Sequence, residues 1–132
     1  MNTPVPQIRA LVIDDEETSV EQLCAVLGKL GFATEVARDG LDGLQRCQTE
    51  RYDVIFCDVR MPRLSGLSFL TNLARSVNAL TRVVMVTALD DASIRRQALQ
   101  SGASAYLVKP LDGRELVEAI ALPQILQSRD LR

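Results

Sequence analysis

The 132-residue chain contains no histidine and no tryptophan, only three cysteines, and two lysines beside thirteen arginines. The absence of histidine excludes histidine-based acid–base catalysis, Ser-His-Asp triads and histidine metal ligands. Cys24, Cys47 and Cys57 are far apart and form no pair of the C-x-x-C type, so the sequence predicts no thiolate metal site. We expect these cysteines to be small buried side chains in a reducing compartment.

Long hydrophobic runs and an excess of positive charge are also missing. No apolar run approaches the roughly 18 residues that a membrane span needs, and residues 1–7 have no apolar core of the signal-peptide type. We therefore expect a cytoplasmic protein with no membrane association. Fifteen basic and seventeen acidic residues give a net charge of −2, which argues against direct nucleic-acid binding by this chain.

The apolar residues that are present form short runs. The length suits one domain, and 47% apolar with 24% charged residues is ordinary for a globular protein. Four runs are apolar at every position, as in strands buried inside a parallel sheet. These runs are residues 10–13, 54–57, 83–86 and 106–108. The more polar run Ala33–Ala37 indicates an edge strand.

Apolar residues at helical spacing fill the gaps between these strands. The five sets are Val20, Leu23, Cys24, Leu27 and Leu30; Leu41 and Leu44; Leu67, Leu70, Leu73 and Val77; Ile94, Ala98 and Leu99; and Leu116, Ala119 and Ile120. Asp39 and Asp112 are placed to cap two helices, Gly31 and Gly102 to end two others, and Pro123 to limit the last. Five β-α units predict a doubly wound α/β fold, with a five-stranded parallel sheet and helices on both faces.

Polar residues follow the apolar strands, at the edge where open parallel sheets bind ligands. Asp14 and Asp15 follow the first strand, Asp58 the third, Thr87 the fourth and Lys109 the fifth. Carboxylates packed together repel one another unless a cation lies among them, and Mg²⁺ (or Mn²⁺) accepts such oxygen ligands. The sequence therefore predicts a metal site that is open to a phosphoryl oxygen.

A carboxylate is the available nucleophile, because the chain has no histidine, serine elbow or reactive-looking cysteine. Asp58 stands alone at its strand end, while Thr87 and Lys109 can hold phosphoryl oxygens. These residues predict Mg²⁺-dependent phosphoryl transfer to Asp58. Each also has a simpler explanation, since acids at residues 14–17 favour a helix N-terminus, and Asp58 and Thr87 suit turns and caps.

The sequence resembles the receiver domain of bacterial two-component response regulators, of the chemotaxis-regulator type. The motifs that carry the resemblance are Leu11-Val12-Ile13-Asp14-Asp15-Glu16, Cys57-Asp58-Val59-Arg60-Met61-Pro62 with Ser65-Gly66-Leu67, Val86-Thr87-Ala88, and Tyr106-Leu107-Val108-Lys109-Pro110. The resemblance implies a flavodoxin-like fold with strand order 2-1-3-4-5. It divides the chain into an N-terminal extension (1–7), a receiver domain (8–122) and a C-terminal tail or start of a linker (123–132).

The resemblance also implies a signalling role for Asp58. Asp58 would accept a phosphoryl group from a phosphohistidine on a sensor histidine kinase or a histidine phosphotransfer protein. Asp14, Asp15, Asp58 and the backbone carbonyl of Arg60 would hold Mg²⁺. Such a receiver is not an enzyme, because it catalyses only its own phosphorylation and dephosphorylation.

The remaining implied roles concern the response to phosphorylation. Thr87 and Lys109 would bind the phosphoryl group, and Tyr106 would turn inward when Thr87 moves. The Lys109–Pro110 bond would be cis. The surface of the fourth helix, fifth strand and fifth helix would then change and so control an output domain or a downstream protein. The same chain could also form a homodimer. Arg60 and Leu89 are bulky residues expected to flank the path of the hydrolytic water, which predicts slow self-dephosphorylation.

Three other classes remain open at this point. A flavodoxin-like cofactor binder needs a phosphate loop rich in Ser, Thr and Gly, whereas four acids occupy residues 14–17. A phosphatase of the haloacid-dehalogenase type needs a second aspartate two residues after Asp58, where this chain has Arg60. A phosphorylation-independent interaction module of the same fold leaves the acidic cluster unexplained.

Overall fold

The computed structural model describes residues 7–120, and these residues form one five-stranded sheet and five helices. The strands are β1 Arg9–Ile13, β2 Ala33–Ala37, β3 Val54–Cys57, β4 Arg82–Thr87 and β5 Ala105–Val108. The helices are α1 Glu17–Lys29, α2 Gly40–Thr49, α3 Gly66–Leu73, α4 Ala92–Gln100 and α5 Gly113–Ile120. Strands and helices alternate throughout the described residues.

The strands are all parallel and lie in the order β2-β1-β3-β4-β5. The register pairs Ile13 with Ala37 on one side and with Cys57 on the other. On the far side of the sheet Thr87 pairs with Val108. The carboxyl ends of the strands therefore lie along one edge, and the predicted fold class and strand order are confirmed.

The central strands are buried on both faces because helices cover both sides of the sheet. One core lies under α1 and α5 and includes Val12, Phe56 and Leu116. The other lies under α2, α3 and α4 and includes Ile55 and Phe69. Alternate residues of each strand enter alternate cores. Strand β2 is only half-buried over most of its length, as an edge strand should be.

Local sequence signals set several helix ends. The Asp39 side chain accepts a hydrogen bond from the Asp42 backbone N–H at 2.8 Å and so caps α2. Gly31 (φ +90°) and Gly102 (φ +112°) follow α1 and α4 in the left-handed region that favours glycine. In both places the next backbone N–H bonds back to the last turn of the helix. The Asp112 side chain accepts from the backbone at the start of α5.

Helix α3 is shorter than the apolar spacing predicts. It ends at Leu73, so Val77 lies outside the helix and is 45% exposed. The cause is the buried Asn78 side chain. Its oxygen accepts from the Tyr52 backbone N–H at 2.8 Å, and its amide donates to two carbonyls near the end of α2 at 2.9 and 2.7 Å. Because this amide satisfies three backbone groups, two of them in buried hydrogen bonds, the chain leaves the helix in tight turns to place it there.

Two further apolar residues are more exposed than their helical spacing predicts. Leu30 and Leu99 lie at the C-terminal ends of α1 and α4 and are 46% and 41% exposed. The buried faces of these two helices are therefore narrower at their ends than the sequence pattern indicates.

The ends of the chain, residues 1–6 and 121–132, lie outside the described residues. The predicted extension, the domain boundary at residue 122, the tail at residues 123–132 and the helix limit at Pro123 therefore stay predictions. Within residues 7–120, no helix has the length and apolar character to cross a membrane.

Candidate functional site

Three aspartates converge where β1 and β3 end. Asp14, Asp15 and Asp58 each place a carboxylate oxygen within 4.8 Å of the others. The backbone N–H of Asp58 bonds to the Ile13 carbonyl, and that of Asp14 bonds to the Ala37 carbonyl, both at 3.0 Å. The sheet hydrogen bonding thus extends to both residues. Asp14 and Asp58 are 4% and 8% exposed, whereas Asp15 is exposed to solvent.

Lys109 reaches into this cluster from β5, across the width of β3 and β4. Its Nζ lies 2.8 Å from Asp14 Oδ2 and 3.4 Å from Asp58 Oδ2. Its backbone N–H bonds to the Thr87 carbonyl at 2.8 Å, so its main chain is fixed by the sheet. The Lys109–Pro110 peptide bond is cis. Five residues were predicted to meet at the carboxyl edge, and they do lie at the ends of β1, β3, β4 and β5: Asp14, Asp15, Asp58, Thr87 and Lys109.

Backbone amides hold the other oxygens of the two buried carboxylates. The Val59 N–H donates to Asp58 Oδ1 at 2.7 Å, and the Glu16 N–H donates to Asp14 Oδ1 at 2.9 Å. Each carboxylate therefore has one oxygen on a backbone amide and the other facing Lys109. This arrangement fixes the orientation of Asp58 before any ligand arrives.

The charges in the site do not balance, since one lysine faces three carboxylates. Burial raises the pKa of the Asp14 carboxyl above its ordinary value, although the hydrogen bond from Lys109 acts in the opposite direction. Burial acts to lower the pKa of Lys109, but the hydrogen bond to Asp14 and the charge of Asp58 outweigh it, so that pKa is raised. Lys109 is charged at neutral pH, and the remaining negative charge suits a hard divalent cation with oxygen ligands.

A chain of hydrogen bonds leads from the end of β4 to β5. Thr87 is 1% exposed, and its Oγ1 accepts from the Leu89 N–H at 3.3 Å. Tyr106 points inward at 5% exposure, and its hydroxyl donates to the Leu89 carbonyl at 2.7 Å. Burial, followed by the charge of Asp91, raises the pKa of Tyr106, so the hydroxyl keeps its proton. The backbone of Leu89 thus joins Thr87 to Tyr106, a link that sequence patterns do not reveal.

The two residues predicted to affect dephosphorylation have different surroundings. Arg60 is exposed in the loop after β3, whereas the Leu89 side chain is half-buried and packs against one of the cores. Two backbone constraints follow β3 that the sequence pattern does not reveal, one at Gly66, where α3 begins, and one at Arg63, in the loop before it. Gly66 has no room for a Cβ, which would lie 2.1 Å from the Asp58 carbonyl oxygen. Arg63 adopts a left-handed conformation, with φ +69°.

The cysteines do not provide an alternative nucleophile. All three are free, Cys47 and Cys57 are buried, and Cys24 is half-buried. Burial raises the pKa of the Cys47 thiol to about 12 and that of Cys57 well above its usual value. Both buried thiols are therefore protonated and act as packing side chains.

Comparison with known proteins agrees with this geometry. A family model described as the response regulator receiver domain matches residues 10–121. Curated relatives include the transcriptional regulatory protein DltR of Streptococcus agalactiae (34% identity over 115 residues) and the response regulator MprA of Mycobacterium ulcerans (37% over 110 residues). These matches cover 87% and 83% of this chain but 51% and 47% of those proteins. The chain thus spans about half the length of the curated relatives it matches.

Solved structures of receiver domains have the same fold. The receiver domain of the Francisella response regulator 1452 matches with a TM-score of 0.81 and 32% identity, covering 92% of this chain and 99% of that one. The receiver domain of the sensor histidine kinase PA1611 from Pseudomonas aeruginosa, solved with a magnesium ion coordinated in its active site cleft, has a TM-score of 0.78 at 27% identity and covers 86% and 93%. The chain belongs to the response regulator receiver domain family of two-component systems.

Proposed function

We propose that this chain is a phosphoacceptor switch in which Asp58 receives a phosphoryl group from a phosphohistidine. The donor would be a sensor histidine kinase or a histidine phosphotransfer protein. The observation that carries the proposal is the grouping of Asp14, Asp15 and Asp58 within 4.8 Å, with Lys109 Nζ bonded to two of them. The chain would act catalytically on itself alone, and its cytoplasmic location stays a prediction.

The proposed ligands for Mg²⁺, or Mn²⁺, are the carboxylates of Asp14, Asp15 and Asp58 and the backbone carbonyl of Arg60. The fit rests on an all-oxygen donor set with uncompensated negative charge. The bound ion would neutralise charge on the phosphoryl oxygens. The magnesium ion in the cleft of the PA1611 receiver domain supports this assignment by similarity.

The chain's own groups can perform the transfer. An oxygen of Asp58 forms the bond to phosphorus as the phosphorus–nitrogen bond of the donor breaks, and the imidazole nitrogen keeps the electron pair and takes up a proton. The Val59 N–H orients the carboxylate. Lys109 Nζ, beside Asp58 Oδ2, can pair with a phosphoryl oxygen. The Thr87 hydroxyl accepts a hydrogen bond from the Leu89 N–H. Its own proton is therefore available for a hydrogen bond to a second phosphoryl oxygen.

The proposed output surface consists of α4, β5 and α5. Tyr106 lines an open groove of about 630 Å³ there, together with Arg95 of α4 and Glu118 of α5. Because the Tyr106 hydroxyl and the Thr87 hydroxyl bond the same residue, Leu89, movement of Thr87 can reach this groove. Several relatives are named as transcriptional regulators, which supports a transcriptional output domain or partner. A homodimer formed through the same surface is a second possible output.

Intact mass spectrometry after incubation with acetyl phosphate and Mg²⁺ tests the proposal. We expect one added phosphoryl group on the wild-type chain, and none on Asp58→Asn or in the presence of a chelator. The adduct should be lost in hydroxylamine, as an acyl phosphate is. No adduct on the wild type would overturn the proposal and favour the phosphorylation-independent interaction module.

Slow self-dephosphorylation is a further prediction of the proposed function. Replacing both Arg60 and Leu89 with serine is expected to shorten the half-life of the phosphoryl group about tenfold, because small polar side chains admit and orient the attacking water. The half-life is measured from the decay of the mass adduct after removal of acetyl phosphate. The control is Arg46→Ser, in α2, which should leave the half-life unchanged. An unaltered lifetime in the double variant would rule out this role for the two residues.

A further inference from the structure

The loop of residues 59–65, which joins β3 to α3, is fastened at both ends. The Gly66 N–H bonds to the Val59 carbonyl at 2.7 Å and closes the loop beside Asp58. The Ser65 side chain accepts from the Ser68 N–H at 3.2 Å and caps α3. These contacts fix where the loop begins and ends, but they do not hold its middle.

Arg63 holds the middle of the loop. Its φ of +69° is in the left-handed region, and the Leu64 N–H bonds to the Pro62 carbonyl at 2.8 Å around it. A residue with a Cβ keeps such a tight turn only when its surroundings enforce it. Arg63 Nε donates to Asp39 Oδ2 at 2.8 Å, and this contact ties the turn to the N-terminus of α2.

Asp39 is a firm anchor because each of its oxygens has a partner. Oδ1 accepts from the Asp42 N–H and caps α2, while Oδ2 accepts from Arg63. The Asp39 side chain is 13% exposed, and the neighbouring guanidinium holds its pKa below the ordinary value. The backbones also touch at this point, since a Cβ on Gly40 would lie 2.1 Å from the Leu64 carbonyl oxygen. The loop therefore rests directly on the start of α2.

We propose that the Asp39–Arg63 ion pair is a positioning pair for the metal site. It holds the loop from the side of α2, so that the main chain at Arg60 keeps the single conformation in which its carbonyl can be a ligand. This inference rests on the proposed function, which makes Arg60 a ligand. Among the described residues, Arg63 pairs with Asp39, and neither side chain forms a hydrogen bond or ion pair with Asp14, Asp15 or Asp58. Their effect would therefore be exerted through the loop.

The test is isothermal titration calorimetry of the chain with Mg²⁺ alone, which measures the Mg²⁺ dissociation constant. Arg63→Gln is expected to weaken Mg²⁺ binding about three- to tenfold, because the Arg60 carbonyl is no longer held in place. Asp39→Asn keeps an oxygen for the α2 cap and should weaken binding similarly. The double variant should be no weaker than either single one. Arg63→Lys, which keeps the charge, should retain most of the affinity.

At Arg63, the sign of the change in Mg²⁺ affinity separates positioning from electrostatics. Loss of a positive charge near an acidic site would by itself strengthen Mg²⁺ binding, whereas loss of positioning weakens it. Arg46→Gln removes an equal charge from the far end of α2 and should not weaken binding. Arg63→Gly, which suits the left-handed backbone, is expected to keep the fold and still bind Mg²⁺ more weakly.

The outcomes are distinguishable. If the wild-type chain binds Mg²⁺ and both Arg63→Gln and Arg63→Gly bind it equally well or more tightly, this inference is overturned and the proposed function is left intact. A wild-type chain that binds no Mg²⁺ overturns the proposed function, and this inference falls with it. Weaker binding in both variants, with the affinity recovered in Arg63→Lys, supports the positioning role.

Discussion

Replacing Lys109 with methionine is expected to slow phosphorylation of Asp58 about a hundredfold and, at the same time, to strengthen Mg²⁺ binding. Both effects come from one position. Lys109 Nζ bonds to Asp14 at 2.8 Å and lies 3.4 Å from Asp58. It neutralises part of the carboxylate charge, and in the proposed transfer it would face the incoming phosphoryl oxygens. Methionine has a similar length and no charge, so it removes the cation without opening a cavity.

Electrostatics explains why Lys109→Met should bind Mg²⁺ more tightly and yet be phosphorylated more slowly. Lys109 and Mg²⁺ compete for the same negative charge, so loss of the lysine should lower the Mg²⁺ dissociation constant roughly tenfold. Phosphoryl transfer brings further negative charge to the site, and loss of a fixed cation there raises the barrier. The transfer rate must therefore be measured at saturating Mg²⁺, with acetyl phosphate as donor, so that tighter metal binding does not mask the slower chemistry.

The sequence provides a matched control for this experiment, because it has one other lysine. Lys29 lies in the last turn of α1 and is exposed. Lys29→Met changes the net charge by the same amount and should alter neither Mg²⁺ affinity nor the rate. Weaker Mg²⁺ binding by Lys109→Met, or an unchanged rate of phosphorylation, would contradict the proposed role of Lys109.

The positions of Asp14, Asp58, Thr87 and Lys109 were predictable from the sequence for a physical reason. Each follows or ends a run of buried apolar residues, and parallel strands joined by helices bring their carboxyl ends to one edge. Two-sided burial and helical spacing likewise predicted the alternation of strands and helices. These signals are local, because the apolar residues of each run predict a buried strand without reference to the other strands. Pairing in the parallel sheet then brings the ends of the runs together.

The parts that could not be predicted depend on main-chain geometry or on distant pairs. Asp39 and Arg63 are 24 residues apart, and both residue types are common on solvated surfaces, so neither indicates its partner. Asn78 lies where a helical repeat would continue, and only the packing of three segments shows that its amide is buried. The link from Thr87 to Tyr106 passes through the backbone of Leu89. The pattern of side chains in a sequence gives no information about such backbone contacts.

Replacing Gly66 with alanine is expected to destabilise the fold by about 3 kcal/mol and to impair phosphorylation. A Cβ on Gly66 would lie 2.1 Å from the Asp58 carbonyl oxygen and 2.9 Å from Val59 Cα. It would also lie 2.9 Å from Met85 Cε, the end of a flexible side chain that can move aside. The two backbone atoms cannot move without shifting Asp58 itself. The loss of stability and the loss of function therefore have one cause.

Urea unfolding measures the first effect and the intact-mass assay measures the second, at a temperature where the variant is folded. Gly28→Ala is the matched control, because Gly28 lies in α1 and a Cβ there meets nothing within 4 Å. That change should stabilise the fold by about 0.5–1 kcal/mol, since alanine favours a helix over glycine. If Gly66→Ala unfolded at the wild-type urea concentration and accepted phosphoryl groups at the wild-type rate, α3 would be free to move away from Asp58. The close packing of that helix against Asp58 would then have no part in positioning the Asp58 carboxylate.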